Sequence, residues 1–291
     1  MSKKNRAAIY LEYIAALIFI QVIRILPWGA AHSIGRMLGS VCFYLIPSRT
    51  KIAKENLSIA FSKKSKKEIS DIVFKSWQNI GQTLIEFIKQ IQLDKKNFSK
   101  YCSVEGLENI EKAVADRKGI ICLGSHYFNW EIINLALSML GYNIKAIARP
   151  LENPLLNKMV TDIRQYYKGE IIPHRQAIKE GIKHLKKNGL VGILIDQYYG
   201  SGVEVDFFSK KTFASPIIAA LSNRVGSAVL PMRSFREKNK LVIQIQPAVV
   251  FPFCEDVQEF YKVSTQILTK IIEDWVREKP AGWFWVHRRW R

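Results

Sequence analysis

The chain reads as an α/β protein: a mainly parallel or mixed central sheet flanked by helices, preceded by an apolar helical region suited to a membrane. Three observations point there. From about residue 105 onward, short apolar runs alternate with segments of helical periodicity, the pattern of βαβ units. Some of the runs are uninterrupted, as in Gly119-Ile120-Ile121-Cys122-Leu123 and residues 190–195, which suits strands buried on both faces. Polar residues stand just past four runs, namely His126, Arg149, Asp196 and Arg233, at the strand ends where open α/β sheets place their ligands.

Three regions are expected: apolar attachment helices over 1–48, a helical stretch over 49–104, and the α/β domain over 105–291. The first opens with Lys3, Lys4 and Arg6. Its charge-free segment, residues 13–23, makes only ~16 Å of helix against a hydrocarbon core of ~30 Å. Beginning at Ala7 and tolerating Glu12 gives ~25 Å. No small-residue cleavage site follows, so a secretory signal is disfavoured. A second apolar patch, residues 37–46, ends at Pro47, and Arg24, Arg36, Arg49, Lys51 and Lys54 surround both. Trp28 and Tyr44 suit an interface. Membrane attachment is expected, by one short spanning helix or by helices lying in the interface; a buried hairpin is the alternative. Residues 63–67 are almost purely basic, and residues 66–91 then repeat apolar positions with helical spacing through Ile69, Val73, Trp77, Ile80, Leu84 and Ile88.

In the α/β part, a strand is expected at 142–150, a helix from Asn153-Pro154 through Tyr166, and a short strand at 171–173. A helix through Ala177 and Leu185 stops at Asn188-Gly189. Strands follow at 190–195 and 203–208, a helix at 216–225, and strands at 228–233 and 241–250, the latter nearer the sheet edge. A long helix over 257–278 precedes the tail Trp283-Phe284-Trp285-Val286-His287-Arg288-Arg289-Trp290.

The chemistry concentrates in Gly124-Ser125-His126-Tyr127-Phe128-Asn129-Trp130-Glu131, between a buried strand and a helix. On a continuous helix, residues five apart point ~140° away from each other. His126 therefore meets Glu131 only if His126 sits on the turn and Glu131 in the first helical turns. A carboxylate would then fix the imidazole tautomer while the other nitrogen takes a proton from a hydroxyl. The plainer alternative is a polar turn with Asn129 as helix cap and Glu131 in solvent. Asp196 has a similar alternative as a turn cap.

Composition sets limits on partners. Among 291 residues, 48% are hydrophobic and 24% charged, which disfavours disorder and a polytopic membrane protein. Lys+Arg 44 against Asp+Glu 25 gives +19, a long-range attraction for nucleic acid, an anionic membrane or phosphorylated substrates. Cys42, Cys102, Cys122 and Cys254 are widely spaced without a C-x-x-C pair, as reduced cysteines are. His126, His174, His184 and His287 form no metal-spacing cluster, and no metal or cofactor is expected.

Taken together, these residues resemble one family. The strand-His-x4-Glu turn, Arg149-Pro150 with Asn153-Pro154-Leu155-Leu156, Asp196-Gln197, Phe207-Phe208, Ser215-Pro216, Val229-Leu230-Pro231 and the Trp283-x-Trp285-Val286-His287-Arg288-Arg289 tail resemble the lipid A biosynthesis acyltransferases, with their glycerolipid-acyltransferase-like fold. The likeness runs through nearly the whole chain. It implies a membrane-bound transferase on the cytoplasmic face of the inner membrane, moving a fatty acyl chain from acyl carrier protein to a hydroxyl of a glucosamine-based lipid. The family's catalytic pair maps onto His126 and Glu131, and a required arginine onto Arg164. Arg149, Asn129 and Asp196 are the accompanying candidates for substrate contact. Partners implied are acyl carrier protein, a glycolipid acceptor and the anionic bilayer, with no nucleic acid and a monomeric chain.

Three departures bear on substrate identity more than on reaction type. Ser125 precedes the histidine and Phe128 replaces a second glycine; Ser209 follows Phe207-Phe208 in place of glycine; and Asn157 stands where Asp is common. The competing readings are an acyltransferase of the same fold with another lipid acceptor, a nucleic-acid binder, or a structural membrane-surface protein. Dispersed cations without a binding motif count against the second, and the intact His126 and Glu131 against the third.

Overall fold

The computed structural model describes residues 6–238 and 240–291; Lys3 and Lys4 lie outside them. Helices α1 (Arg6–Ile25) and α2 (Trp28–Leu45) turn about Pro27, and α3 (Pro47–Ala60) and α4 (Lys66–Lys89) complete the helical part. The basic stretch before α4 ends in a capping box: Ser65 Oγ accepts from Glu68 N, and the Glu68 carboxylate accepts from Ser65 N, satisfying donors that an open helix start leaves bare. Ala31, Gly35 and Gly39 are the buried residues of α2. They press it so closely onto α4 that a Cβ at Gly39 would run into the Trp77 carbonyl.

After the short helix α5 (Phe98–Tyr101), the chain alternates as expected. In order come β1 (Cys102–Glu105), α6 (Leu107–Ala115), β2 (Ile120–Gly124), α7 (Glu131–Met139), β3 (Ile144–Ala148), α8 (Pro154–Arg164), β4 (Glu170–Pro173), α9 (Ala177–Leu185) and β5 (Leu190–Leu194). A hairpin of β6 (Val203–Phe207) and β7 (Lys210–Ala214) interrupts, before α10 (Ile217–Val225), β8 (Ala228–Glu237), β9 (Lys240–Ile245) and α11 (Val257–Glu278). Seven strands form one sheet in the order β1-β9-β8-β2-β5-β3-β4. Every neighbouring pair is parallel except β8 with β9.

The uninterrupted apolar runs find their reason in this sheet. Successive side chains of a strand leave on opposite faces. Ile121 and Leu123 of β2, with Val191 and Ile193 of β5, enter a core shared with α3, α4, α10, α11 and the tryptophan tail. Ile120, Cys122 and Leu190 enter a second core under α6 and α7. Between α4 and the sheet lies a buried ion pair: Arg236 on β8 donates to both Glu86 carboxylate oxygens at 2.7 and 2.8 Å and to Asn79 Oδ1 at 3.0 Å.

Strands β8 and β9 end elsewhere than the sequence predicts, and β1 and β7 have no counterpart among the expected elements. The strand expected over 241–250 stops at Ile245, since Pro247 has no N–H for a ladder, and it lies one place inside the edge because β1 pairs outside it. Strand β8 runs to Glu237, so Arg233 is not at a strand end. It is buried in mid-strand, bonded to Glu278 Oε2 at 2.6 Å and Gln244 Oε1 at 2.8 Å.

Candidate active site

Strands β2 and β5 are neighbours and parallel, with Gly124 opposite Leu194. Two residues further along each strand stand His126 and Asp196, brought side by side by that register. His126 Nδ1 lies 2.8 Å from Asp196 Oδ1, and the other carboxylate oxygen accepts from Ser125 Oγ at 3.0 Å, His126 N at 2.9 Å and Trp283 Nε1 at 2.8 Å. The Asp196 side chain is 2% exposed and that of His126 is 21% exposed. An ionised carboxylate holding these bonds favours the Nδ1–H tautomer, leaving Nε2 as the nitrogen free to act.

The imidazole's carboxylate partner is therefore Asp196, where the sequence spacing pointed to Glu131. Glu131 is the first residue of α7, and its carboxylate is claimed by Arg164 at the end of α8. Arg164 Nη2 donates to Oε1 at 2.6 Å and Nε to Oε2 at 3.0 Å, while the Trp130 indole donates to Oε1 at 3.2 Å. This two-point fork is the geometry in which guanidinium grips carboxylate best. The pair keeps side-chain exposures of 24% and 14%, so it remains accessible to an anionic ligand.

The last segment of the chain closes the site. Phe128 N donates to Gly282 O at 2.7 Å and Phe284 N to His126 O at 3.0 Å, so the tail runs antiparallel along the histidine turn, with Tyr127 bridged to Trp283. A narrow crevice results, walled by Asn79, Ile80 and Thr83 of α4 and by the rings of Phe128, Trp130 and Phe284, with His126 on its wall. Phe128 sits at φ 44, a left-handed backbone that favours glycine. Its ring lies against Gly282, where any Cβ would collide with it.

The remaining candidates separate. Arg149 is exposed just past β3, on the same strand-end edge as His126 and Asp196. Asn129 is fully buried; its Oδ1 accepts from Ile132 N at 3.2 Å and its carbonyl from Ser234 Oγ at 2.7 Å. Its Oδ1 thus holds a backbone N–H in the first turn of α7. Ser125 and Trp130 lie in the stretch singled out from the sequence and Trp283 in the tail motif, but sequence reading gave none of them a role in the site.

Electrostatics raise the proton affinity of His126. Burial lowers the His126 pKa, but the charge and hydrogen bond of Asp196 outweigh it, Glu131 adds to them, and Arg164 opposes; the net shift is upward from the ordinary 6.5. For Asp196, burial pushes upward, yet His126, the backbone N–H and the Trp283 indole hold the carboxyl well below the usual range.

The sequence profile of the bacterial lipid A biosynthesis acyltransferases matches residues 1–291. The chain belongs to that family. Among curated relatives, the lipid A biosynthesis lauroyltransferase of Escherichia coli K12 is 25% identical over 272 residues, covering 91% of this chain and 87% of the relative. The palmitoleoyltransferase of the same organism is 24% identical over 269 residues, 91% of this chain and 86% of its own. A more distant match is the phosphatidylinositol mannoside acyltransferase of Mycobacterium tuberculosis H37Rv, 23% identical over 192 residues, 64% of this chain and 59% of the relative. Phe128 thus combines a left-handed backbone with a ring in the crevice wall.

Proposed function

We propose that the chain transfers a fatty acyl group from acyl carrier protein to a hydroxyl of a lipid A precursor at the cytoplasmic face of the inner membrane, with His126 as general base. The observation that carries this reading is the 2.8 Å bond between His126 Nδ1 and Asp196 at the rim of the crevice. Nε2 takes the proton of the acceptor hydroxyl, and its oxygen attacks the thioester carbonyl carbon. The tetrahedral oxyanion collapses, the C–S bond breaks, and the departing thiolate recovers the proton from Nε2. Asp196 keeps the ring oriented and stabilises the imidazolium.

Glu131 acts here through Arg164, fixing the guanidinium that would meet the oxyanion or a substrate phosphate. Arg149 is a further contact for the same anionic lipid. The chemistry requires no metal. Positioned general-base catalysis is worth ~10²–10⁴ in rate, so His126→Ala should lose about that factor while staying folded. The test incubates purified protein with acylated carrier proteins and lipid A precursors and reads product masses; wild-type turnover by His126→Ala would remove the base role. A second reading, transfer to a glycosylated phospholipid, draws on the mycobacterial relative, a phosphatidylinositol mannoside acyltransferase. Lipid mass spectra from a deletion strain separate the two by which lipid loses a chain.

A further inference from the structure

We infer that α1 and α2 lie along the headgroup region of one leaflet of an anionic bilayer, and that α1 does not cross it. This rests on the membrane attachment proposed above and states its geometry. By composition alone α1 qualifies as a span, its 20 residues being apolar enough and ~30 Å long. Its fixings argue otherwise.

Near its start, Asn153 Nδ2 donates to Ile9 O and to Glu12 Oε2, both at 3.0 Å. Near its end, Lys89 Nζ donates to the carbonyls of Ile23 and Arg24 at 3.3 Å and of Leu26 at 2.8 Å. Between these points Ile20 and Ile23 share a core with Ile85 and Ile88 of α4 and with Met159 and Ile163 of α8. Helix α1 is thus bound along its length to α4 and α8, and any depth it reaches they reach too. Helix α8 carries the ion pair Lys158–Asp162, with side chains 75% and 59% exposed. A spanning α1 would drag that hydrated pair, and Glu12, into hydrocarbon, where charges are costly.

The free face fits a surface instead. Tyr10, Leu11, Ile14, Leu17, Ile18, Val22 and Ile25 are exposed and recur at helical spacing on the side away from Ile20 and Ile23, with Gln21 as a polar interruption. Met37, Val41, Tyr44 and Leu45 are exposed apolar residues of α2. Arg6 and Arg36 on these helices and Arg49 and Lys51 on α3 are exposed, a cationic complement to anionic headgroups. An apolar stripe with cations and tyrosines is the pattern of a helix that lies in the interface.

Depth measurement tests this. In a chain carrying Cys42→Ala and Cys254→Ser, the variants Leu11→Cys, Ile18→Cys and Ile25→Cys are labelled with an environment-sensitive fluorophore. Each is bound to phosphatidylethanolamine–phosphatidylglycerol vesicles containing lipids spin-labelled at defined depths. Quenching of all three sites by the shallow labels, to a similar extent, is expected. Strongest quenching of Ile18→Cys by the deepest label, with the other two sites near opposite surfaces, overturns the inference in favour of a span. Water-like emission without quenching overturns it too, since no bilayer then covers the stripe. Tyr10→Cys, Leu17→Cys and Val22→Cys repeat the reading should a first variant misfold. Acyl transfer by the same proteins in detergent micelles is scored separately: its loss with shallow quenching intact would count against the enzymatic reading alone.

Discussion

Asp196 receives hydrogen bonds from Ser125, His126 (through both backbone and ring) and Trp283, and two substitutions around it should move the same pH profile in opposite directions. A base works only when neutral, so kcat/KM should rise with pH through the His126 pKa, and that limb should lie above 6.5 because the shift is upward. Asp196→Asn removes the raising charge and leaves burial to act, so the limb should move to lower pH as the rate falls. Trp283→Phe removes a donor from the carboxylate, concentrates its charge on His126, and should move the limb to higher pH. A pH–rate series on the three proteins checks both signs; identical limbs would mean that His126 is not the titrating group. His126 and its turn were legible in the sequence because the apolar run before them and the helical spacing after them fix the boundary locally. Its partner was not: the choice of Asp196 over Glu131 depends on which strand lies beside β2, and one chain's spacing carries no record of strand order.

At the scale of elements, the tail and the histidine turn hold each other in place through Phe128 and Gly282. Gly282→Ala would put a methyl into the Phe128 ring, so it should destabilise the protein and reduce activity more than any substitution of comparable size on the surface. Phe128→Gly relaxes the left-handed backbone, a strain of about 1–3 kcal/mol, but gives up a buried ring whose deletion costs about 3–5 kcal/mol. The loss outweighs the relief, and net destabilisation is expected. The double variant should be less damaged than the sum of the two, because the clash needs both partners. Urea unfolding of the set measures this; strict additivity would mean that the ring and residue 282 do not meet. Most helices and strands were readable from periodicity, α11 to the residue. The short strand β1 was not: its Cys-Ser-Val-Glu sequence has too few residues to reveal a period, and only its pairing with β9 makes it a strand.

The whole molecule carries a charge of +19 and exposes an apolar stripe, and the two should separate by their response to salt. Attraction between exposed charges is screened over ~10 Å at 0.1 M salt, whereas apolar burial is not. Vesicle binding should therefore weaken as salt rises but level off above zero, as sedimentation with anionic vesicles would record; salt-independent binding would leave the basic surface without this role. A practical consequence follows from the buried Lys89, whose ammonium donates to three carbonyls near the end of α1 and lies over the face of Trp28. Trimming the chain before Trp28, the obvious route to a soluble fragment, would strip those oxygens away and bare the apolar faces of α4 and α8 that Ile20 and Ile23 cover. The shortened protein should aggregate or melt well below the intact one.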